Sequence, residues 1–203
     1  MSPEFKSALK THQSAFGLNL PEEAIHRLAG FYDVVQEHNP ILHLTAPMSA
    51  EEFAIRHVLE SLTLLDHLPH NARFVDIGPG GGFPSIPCLL VREKMSAILI
   101  ESSLKKANFL REVLAKCEIE ERAQIINQQF SEVRRPYVSY ISCRALDKFT
   151  QKLPALVKWA GDCKLLLFGG PALGEALTKQ GVSFISKLMP MSEQRYLFVS
   201  KTE

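Results

Sequence analysis

Eight residues near the middle of the 203-residue chain, Asp76-Ile77-Gly78-Pro79-Gly80-Gly81-Gly82-Phe83, have the composition of a ligand-binding turn. Glycines at 78, 80, 81 and 82 permit positive φ and let main-chain N–H groups come close to a ligand. A helix opening near Pro84 adds unpaired N–H groups and the positive end of a dipole, which suits a carboxylate or a phosphate. Glu101 stands at the end of the next apolar run, about 20 residues past the last glycine, where an acid can accept hydrogen bonds from both hydroxyls of a ribose. Spacing discriminates among nucleotides. A dinucleotide fingerprint read from Gly78 needs glycine at position 83, and Phe83 occupies it.

A turn of this kind works only between a strand and a helix, and the flanking pattern supplies both. Short apolar runs at 74–75, 97–100 and 123–126 alternate with helical stretches at 86–91 and 104–114, which reads β-α-β-α-β. Further strands are expected at 138–142, 165–168, 182–185 and 196–200, with helices near 147–158 and 172–180. The short connection at 189–194 predicts an antiparallel hairpin at the sheet edge. The whole is an α/β, doubly wound, Rossmann-like sheet. Ahead of it, Phe5, Leu9, His12 and Phe16 recur at helical spacing before Gly17. Pro21 sits at a first helical position for a helix to about residue 37, and Ser49 with Glu52 forms a capping box before Phe53, Val58, Leu62 and Leu65. Residues 1–70 are thus expected to form a helical cap and 71–203 the sheet domain, with His70-Asn71 as the boundary.

Composition limits the alternatives. Apolar residues make up 46% and charged residues 22%, close to globular averages, so the chain is expected to fold around a sizeable core. With 23 basic and 22 acidic side chains, bulk charge does not announce nucleic-acid binding, which would need a local patch. Cys88, Cys117, Cys143 and Cys163 are widely spaced, with no CxxC pair and no secretory leader before them, which argues against a disulfide framework or zinc site. Apolar stretches such as 83–91 are too short to span a bilayer. A soluble, cytosolic protein with no metal is expected.

The spacing Asp76-x-Gly78-x-Gly80-x-Gly82 is similar to the loop of class I methyltransferases, whose donor, S-adenosylmethionine, has an amino-acid end in place of a pyrophosphate. From about Phe31 to Ser200 the chain resembles the RsmG (GidB) family. Five segments carry the resemblance: Asn39-Pro40-Ile41-Leu42-His43-Leu44-Thr45, Arg56-His57-Val58-Leu59-Glu60-Ser61-Leu62, the glycine loop with Phe83-Pro84-Ser85-Ile86-Pro87, Glu101-Ser102-Ser103-Leu104-Lys105-Lys106, and Ser142-Cys143-Arg144-Ala145. The resemblance implies methyl transfer to N7 of a guanine in the 530 loop of 16S ribosomal RNA, with that RNA or the small ribosomal subunit as partner and a monomeric, cytoplasmic enzyme. It places Gly78, Phe83, Phe130, Ser131 and Arg144 at the donor, beside Asp76, Gly80, Gly82 and Glu101 from the loop and strand pattern. Lys105, Lys106, Arg195 and His57 become candidates for RNA contact. The chain departs from the family at His43, where asparagine is usual, at Glu60 for aspartate, at His38 for tryptophan, and at Gly169-Gly170 for a lysine-glycine pair.

Guanine N7 carries a lone pair and no proton, so its methylation needs alignment rather than a general base. Arg144 is the candidate to hold the guanine O6 or a neighbouring phosphate, leaving N7 free; pairing with Asp147 on the surface is its alternative. Cys143 would suit nucleophilic attack on a pyrimidine carbon, or simple packing. His38 and His43 lack a third metal ligand. Arg134, Arg135, Lys148 and Lys152 extend a basic surface or form an ordinary solvated face. Two other functions stay open: methyl transfer to a protein or small molecule, and a donor- or RNA-binding module without catalysis.

Overall fold

The computed structural model describes residues 2–144 and 149–201; Ala145, Asp147 and Lys148 lie outside the described residues. Helix α1 (Pro3–His12) starts on Ser2, whose hydroxyl accepts the Phe5 N–H at 3.3 Å. It tightens into a 3-10 turn, Gln13–Phe16, and stops at Gly17 with φ 69°. Pro21 lies just outside the second helix, α2 (Glu22–Leu42), and fixes its entry in extended backbone. This helix runs five residues beyond the expected end, through Pro40, because a proline in the last turn removes little of the hydrogen-bond ladder before His43 closes it at φ 49°.

The third helical segment, α3 (50–66), opens as expected with Ser49 Oγ accepting the Glu52 N–H at 3.1 Å. Its middle, Ala54–Leu59, is π-helical, and the Glu60 N–H bonds the Ile55 carbonyl. Such wide turns are uncommon and cluster at functional sites. A 3-10 turn, Thr63–Asp66, completes it.

The sheet has seven strands: β1 (Arg73–Ile77), β2 (Ser96–Ile100), β3 (Ala123–Ile126), β4 (Tyr140–Arg144), β5 (Lys164–Gly169), β6 (Phe184–Leu188) and β7 (Tyr196–Ser200). Their order is β3-β2-β1-β4-β5-β7-β6, with β7 antiparallel to both neighbours and all other pairs parallel. The expected α/β doubly wound sheet and its edge hairpin are both present. Crossover helices are α4 (Ser85–Val91), α5 (Leu104–Lys116), α6 (Phe149–Ala160) and α7 (Pro171–Lys179). Strand β4 ends two residues later than the expected 142, which puts Arg144 in the strand itself. None of the described helices is long and apolar enough to cross a membrane.

Side chains alternate across the strands and build two cores. Phe74, Leu99, Leu166 and Phe168 pack on one face with the N-terminal helices, through Phe5, Leu28, Phe31 and Val58. Val75, Ile77, Ile98, Ile141 and Leu167 pack on the other face with α6 and α7. The helical cap therefore shares one continuous core with the sheet. Register then fixes the site: Ile77 is level with Ile100 and with Cys143, so Gly78, Glu101 and Arg144 emerge together at the carboxyl edge. The edge between β1 and β4 is where strand order reverses, the usual ligand crevice of such sheets.

Candidate functional site

The glycine turn is shaped by its own backbone. Gly78, Gly80 and Gly82 have φ of 66°, 56° and 94°, a region L side chains rarely enter. A Cβ on Gly82 would also lie 2.7 Å from Ile86 Cγ1, so this glycine serves close packing of turn and helix rather than lining the cleft. Asp76 is likewise structural in position: it is fully buried, and its Oδ2 accepts the N–H of Ser85, the first residue of α4, at 3.2 Å. Burial raises its carboxyl to about 7, against the lowering effect of the Ser85 and Ser142 hydroxyls and the Ser85 N–H.

Beyond the turn is a cleft of about 310 Å³ lined by Leu44, His57, Gly78, Gly80, Gly81, Phe83, Glu101, Lys106, Arg144 and Lys152, among others. Glu101 is held at its floor. Oε2 accepts the Gly80 N–H at 3.1 Å and Oε1 the Ser103 N–H at 2.8 Å, so turn and strand end are pinned to one carboxylate. Asn127, at the end of β3, donates to the Glu101 carbonyl at 2.8 Å and closes the strand end from the far side.

Leu44 reaches the cleft because the segment before it is locked. Asn39 Oδ1 accepts the Thr45 N–H at 2.9 Å and Nδ2 donates to Thr45 Oγ1 at 3.2 Å. His43, between them, is exposed and left-handed. That conformation favours asparagine, the residue the RsmG family resemblance places there. His43→Asn is expected to raise unfolding stability by a few tenths to about 1 kcal/mol, read by chemical denaturation.

The π-helical part of α3 forms the wall of the cleft that packs on Phe83. The ring of His57 lies 4.8 Å from Phe83 and 5.2 Å from Phe53, centroid to centroid, and both ring nitrogens are buried without a hydrogen-bond partner. Burial, followed by the charges of Arg144, Arg56 and Arg195, lowers its pKa to about 3, so the ring is neutral at physiological pH. A depressed histidine contributes stability that is fully present above its unfolded value near 6.5 and is lost as pH falls toward 3. At pH 5 this histidine therefore costs the parent about 2 kcal/mol relative to pH 8. His57→Phe should remove that increment; an unchanged pH dependence in urea titrations would refute the assignment.

Arg144 leaves β4 toward the same wall. Its Nη2 donates to the Arg56 carbonyl and, at 3.0 Å, to Glu60 Oε2, while Nη1 is buried without a partner. Arg195 Nε donates to Glu60 Oε1 at 2.6 Å. The cleft thus gathers Gly78, Gly80, Phe83, Glu101, His57, Lys106 and Arg144.

Other sequence candidates lie elsewhere. Phe130 packs edge-on against Trp159 at 5.9 Å, Ser131 is exposed beside it, and neither lines the cleft. Lys105 is exposed on α5, and Arg195 is engaged by Glu60 rather than solvated alone. Cys143 is buried with Val75 and Ile77 in the core on the α6 side of the sheet. His38 bonds Glu112 at 3.1 Å, and no group of three or more metal-ligating side chains occurs among the described residues. Gly169 has a packing reason: a Cβ there would lie 2.6 Å from Leu173 Cδ2 and 3.0 Å from its Cβ. Glu60, Leu44 and Asn127 were not among the sequence candidates. Leu44 and Glu60 sit in family-like segments, which was the available signal, whereas nothing local marks Asn127.

A family model described as rRNA small subunit methyltransferase G (GidB) matches residues 24–188. The chain is 29% identical over 167 residues to ribosomal RNA small subunit methyltransferase G of Neisseria meningitidis, covering 82% of this chain and 77% of that protein. It is 34% identical over 148 residues to the protein of the same name from Desulforamulus reducens, covering 69% and 61%. Among solved structures, a SAM-dependent methyltransferase from Aquifex aeolicus superposes with a TM-score of 0.59 at 14% identity, covering 84% of this chain and 97% of that one. The tRNA methyltransferase TrmK of B. subtilis gives 0.56 at 13% identity, covering 70% and 65%.

Proposed function

The chain belongs to the GidB family, rRNA small subunit methyltransferase G, and from that premise we propose that it transfers a methyl group from S-adenosylmethionine to N7 of a guanine in the 530 loop of 16S ribosomal RNA. The observation that carries the reading is the convergence, on one cleft, of the glycine turn with Glu101 on one side and Arg144 with His57 on the other. The residues fit such a donor. Each Glu101 oxygen accepts one main-chain N–H and keeps acceptor capacity for a ribose hydroxyl. Gly81 lies where a Cβ would meet the Phe83 ring at 3.1 Å and Leu44 Cβ at 3.3 Å, so a side chain there would crowd the cradle. Arg144 Nη1 and both His57 nitrogens are buried polar atoms that lack partners in the protein, the condition a ligand relieves.

Bound S-adenosylmethionine supplies an electrophilic methyl group on a sulfonium sulfur. The chain's own residues have then to bind, orient and exclude water. Glu101 and the glycine turn fix the donor's ribose and amino-acid end. Arg144 holds guanine O6 or an adjoining phosphate and leaves the N7 lone pair unobstructed. Neutral His57 and Phe83 close the wall between them without adding a further positive charge beside the sulfonium. Lys106 and Lys152 at the cleft, with Lys105 beside it, give a local basic rim to a chain whose overall charge is nearly balanced. The same reading makes it a cytoplasmic monomer that meets its base on 16S RNA or the small subunit.

The test is to map 7-methylguanosine in 16S RNA from cells with and without the gene. Loss of one such methyl group is the expected result. Purified protein with tritiated donor should label small subunits or their RNA; label confined to protein in an extract would overturn the acceptor and favour the protein-directed alternative.

A further inference from the structure

Glu60 is a charged group that the proposed methyl transfer leaves without a task. Its side chain is 1% exposed, yet it binds two guanidinium groups from distant parts of the chain, Arg144 of β4 and Arg195 of the β6–β7 turn. Burying a carboxylate with its partners is worthwhile for stability only in excellent geometry, and apolar residues of like volume often do as well. The arrangement has a geometric consequence for Arg144. Nη2 is held at two points, Glu60 Oε2 and the Arg56 carbonyl, and the guanidinium carbon sits 5.3 Å from the Phe168 ring centroid. A guanidinium is planar, so fixing one terminal nitrogen and one face fixes the direction of the other. That other nitrogen, Nη1, is the one left without a partner.

The second arm of Glu60 is also anchored. Met189 donates its N–H to the Arg195 carbonyl at 2.8 Å, and Arg195 donates its own N–H to Ser192 Oγ at 3.0 Å. Met189 is buried, and its sulfur lies 3.8 Å from Oγ1 of Thr63, whose hydroxyl donates to the Glu60 carbonyl at 2.6 Å, so the turn packs on α3 beside Glu60. Arg195 therefore approaches Glu60 from a turn already docked on the helix that carries Glu60.

We propose that Glu60 is a positioning residue: its carboxylate sets the plane of Arg144 so that Nη1 faces the acceptor, and through Arg195 it makes the β6–β7 turn part of the same device. One carboxylate against two bound guanidinium groups leaves the site net positive, which suits an electronegative base edge or a phosphate. The proposal rests on the reading of Arg144 as the acceptor-holding group.

The experiment compares Glu60→Gln and Glu60→Asp in the full chain, alone and combined with Arg144→Ala. Glu60→Gln should lower kcat on small subunits at least about tenfold, with S-adenosylhomocysteine affinity within about threefold of the parent. Glu60→Asp, which keeps the charge, should recover part of that loss. Added to Arg144→Ala, Glu60→Gln should cost nothing further, because the two act through one group. Multiplying losses, or parental kcat in folded Glu60→Gln, would overturn the proposal. If Glu60→Gln does not fold, Glu60→Asp and Arg195→Gln carry the same cycle with Arg144→Ala. An independent readout is the side-chain NMR signal of Arg144 in labelled protein, expected to be slowly exchanging in the parent and averaged in the Glu60 variants. A parent that methylates no ribosomal RNA would sink the acceptor assignment; an Arg144 signal insensitive to Glu60 would sink the positioning role.

Discussion

Arg144→Ala is expected to lower methyl transfer to the small subunit by roughly 100-fold, the scale set by loss of a group that aligns reactants. Binding of S-adenosylhomocysteine should stay within a few-fold of the parent, since the donor's ribose is held by Glu101 and its other end by the glycine turn. The fold should survive, because Glu60 keeps Arg195 at 2.6 Å and is not left as an unpaired buried charge. Arg144→Lys should not restore activity. An ammonium carries its three donors on one atom, so with that atom held by the Arg56 carbonyl and Glu60 it cannot place a donor where Nη1 sits. Single-turnover transfer with tritiated donor, beside calorimetry with S-adenosylhomocysteine, separates the outcomes. Unaltered turnover would remove Arg144 from the reaction. An equal loss of donor affinity would move it to the donor side of the cleft.

The sheet was legible because its signals are local and repeated. Residues 97–100 and 165–168 are buried throughout and alternate between the two cores, as apolar runs covered by helices on both faces must. Helix starts were legible where a side chain caps them, as at Ser49, and ends were less so. The second helix continued through Pro40 because the Asn39 to Thr45 clamp, a tertiary-like lock six residues wide, holds the last turn against the proline's preference. The π-helical stretch 54–59 has no sequence signature at all. Its apolar spacing is compatible with an ordinary helix, and only the docking of Arg144 on the Arg56 carbonyl shows what the wider turn accompanies.

The site divides in the same way. Gly78, Gly80 and Glu101 were readable because one strand–turn–helix unit and the next strand end bring them together, with spacing set by the fold class. Glu60, Arg144 and Arg195 come from three elements separated by more than 50 residues along the chain, and no periodicity connects them. Asp76 reads as a ligand-facing acid from its place in the motif, but the end of β1 turns it inward onto Ser85. Phe130 and Ser131 depended on register in an irregular segment, where the short 3-10 turn aims Phe130 at Trp159 instead.

The inward turn of Asp76 leaves Glu101 as the one carboxylate lining the cleft among the described residues, which makes Glu101→Gln the sharpest test of the donor site. Both Glu101 oxygens receive main-chain N–H groups, from Gly80 at 3.1 Å and Ser103 at 2.8 Å. A glutamine presents one oxygen and one NH₂, so whichever way it is turned, a donor faces a donor. The substitution removes the charged acceptor for the ribose and also releases one end of the glycine turn. Charge-assisted hydrogen bonds contribute about 1.5–3 kcal/mol each, so S-adenosylhomocysteine affinity should fall by roughly 10- to 100-fold. Because the turn is pinned by the same carboxylate, hydrogen exchange at the Gly80 and Ser103 amides should accelerate even without ligand. A variant with weakened binding but unchanged exchange would mean that Glu101 serves the ligand alone. Unchanged binding would exclude the ribose contact, and with it the placement of the donor in this cleft.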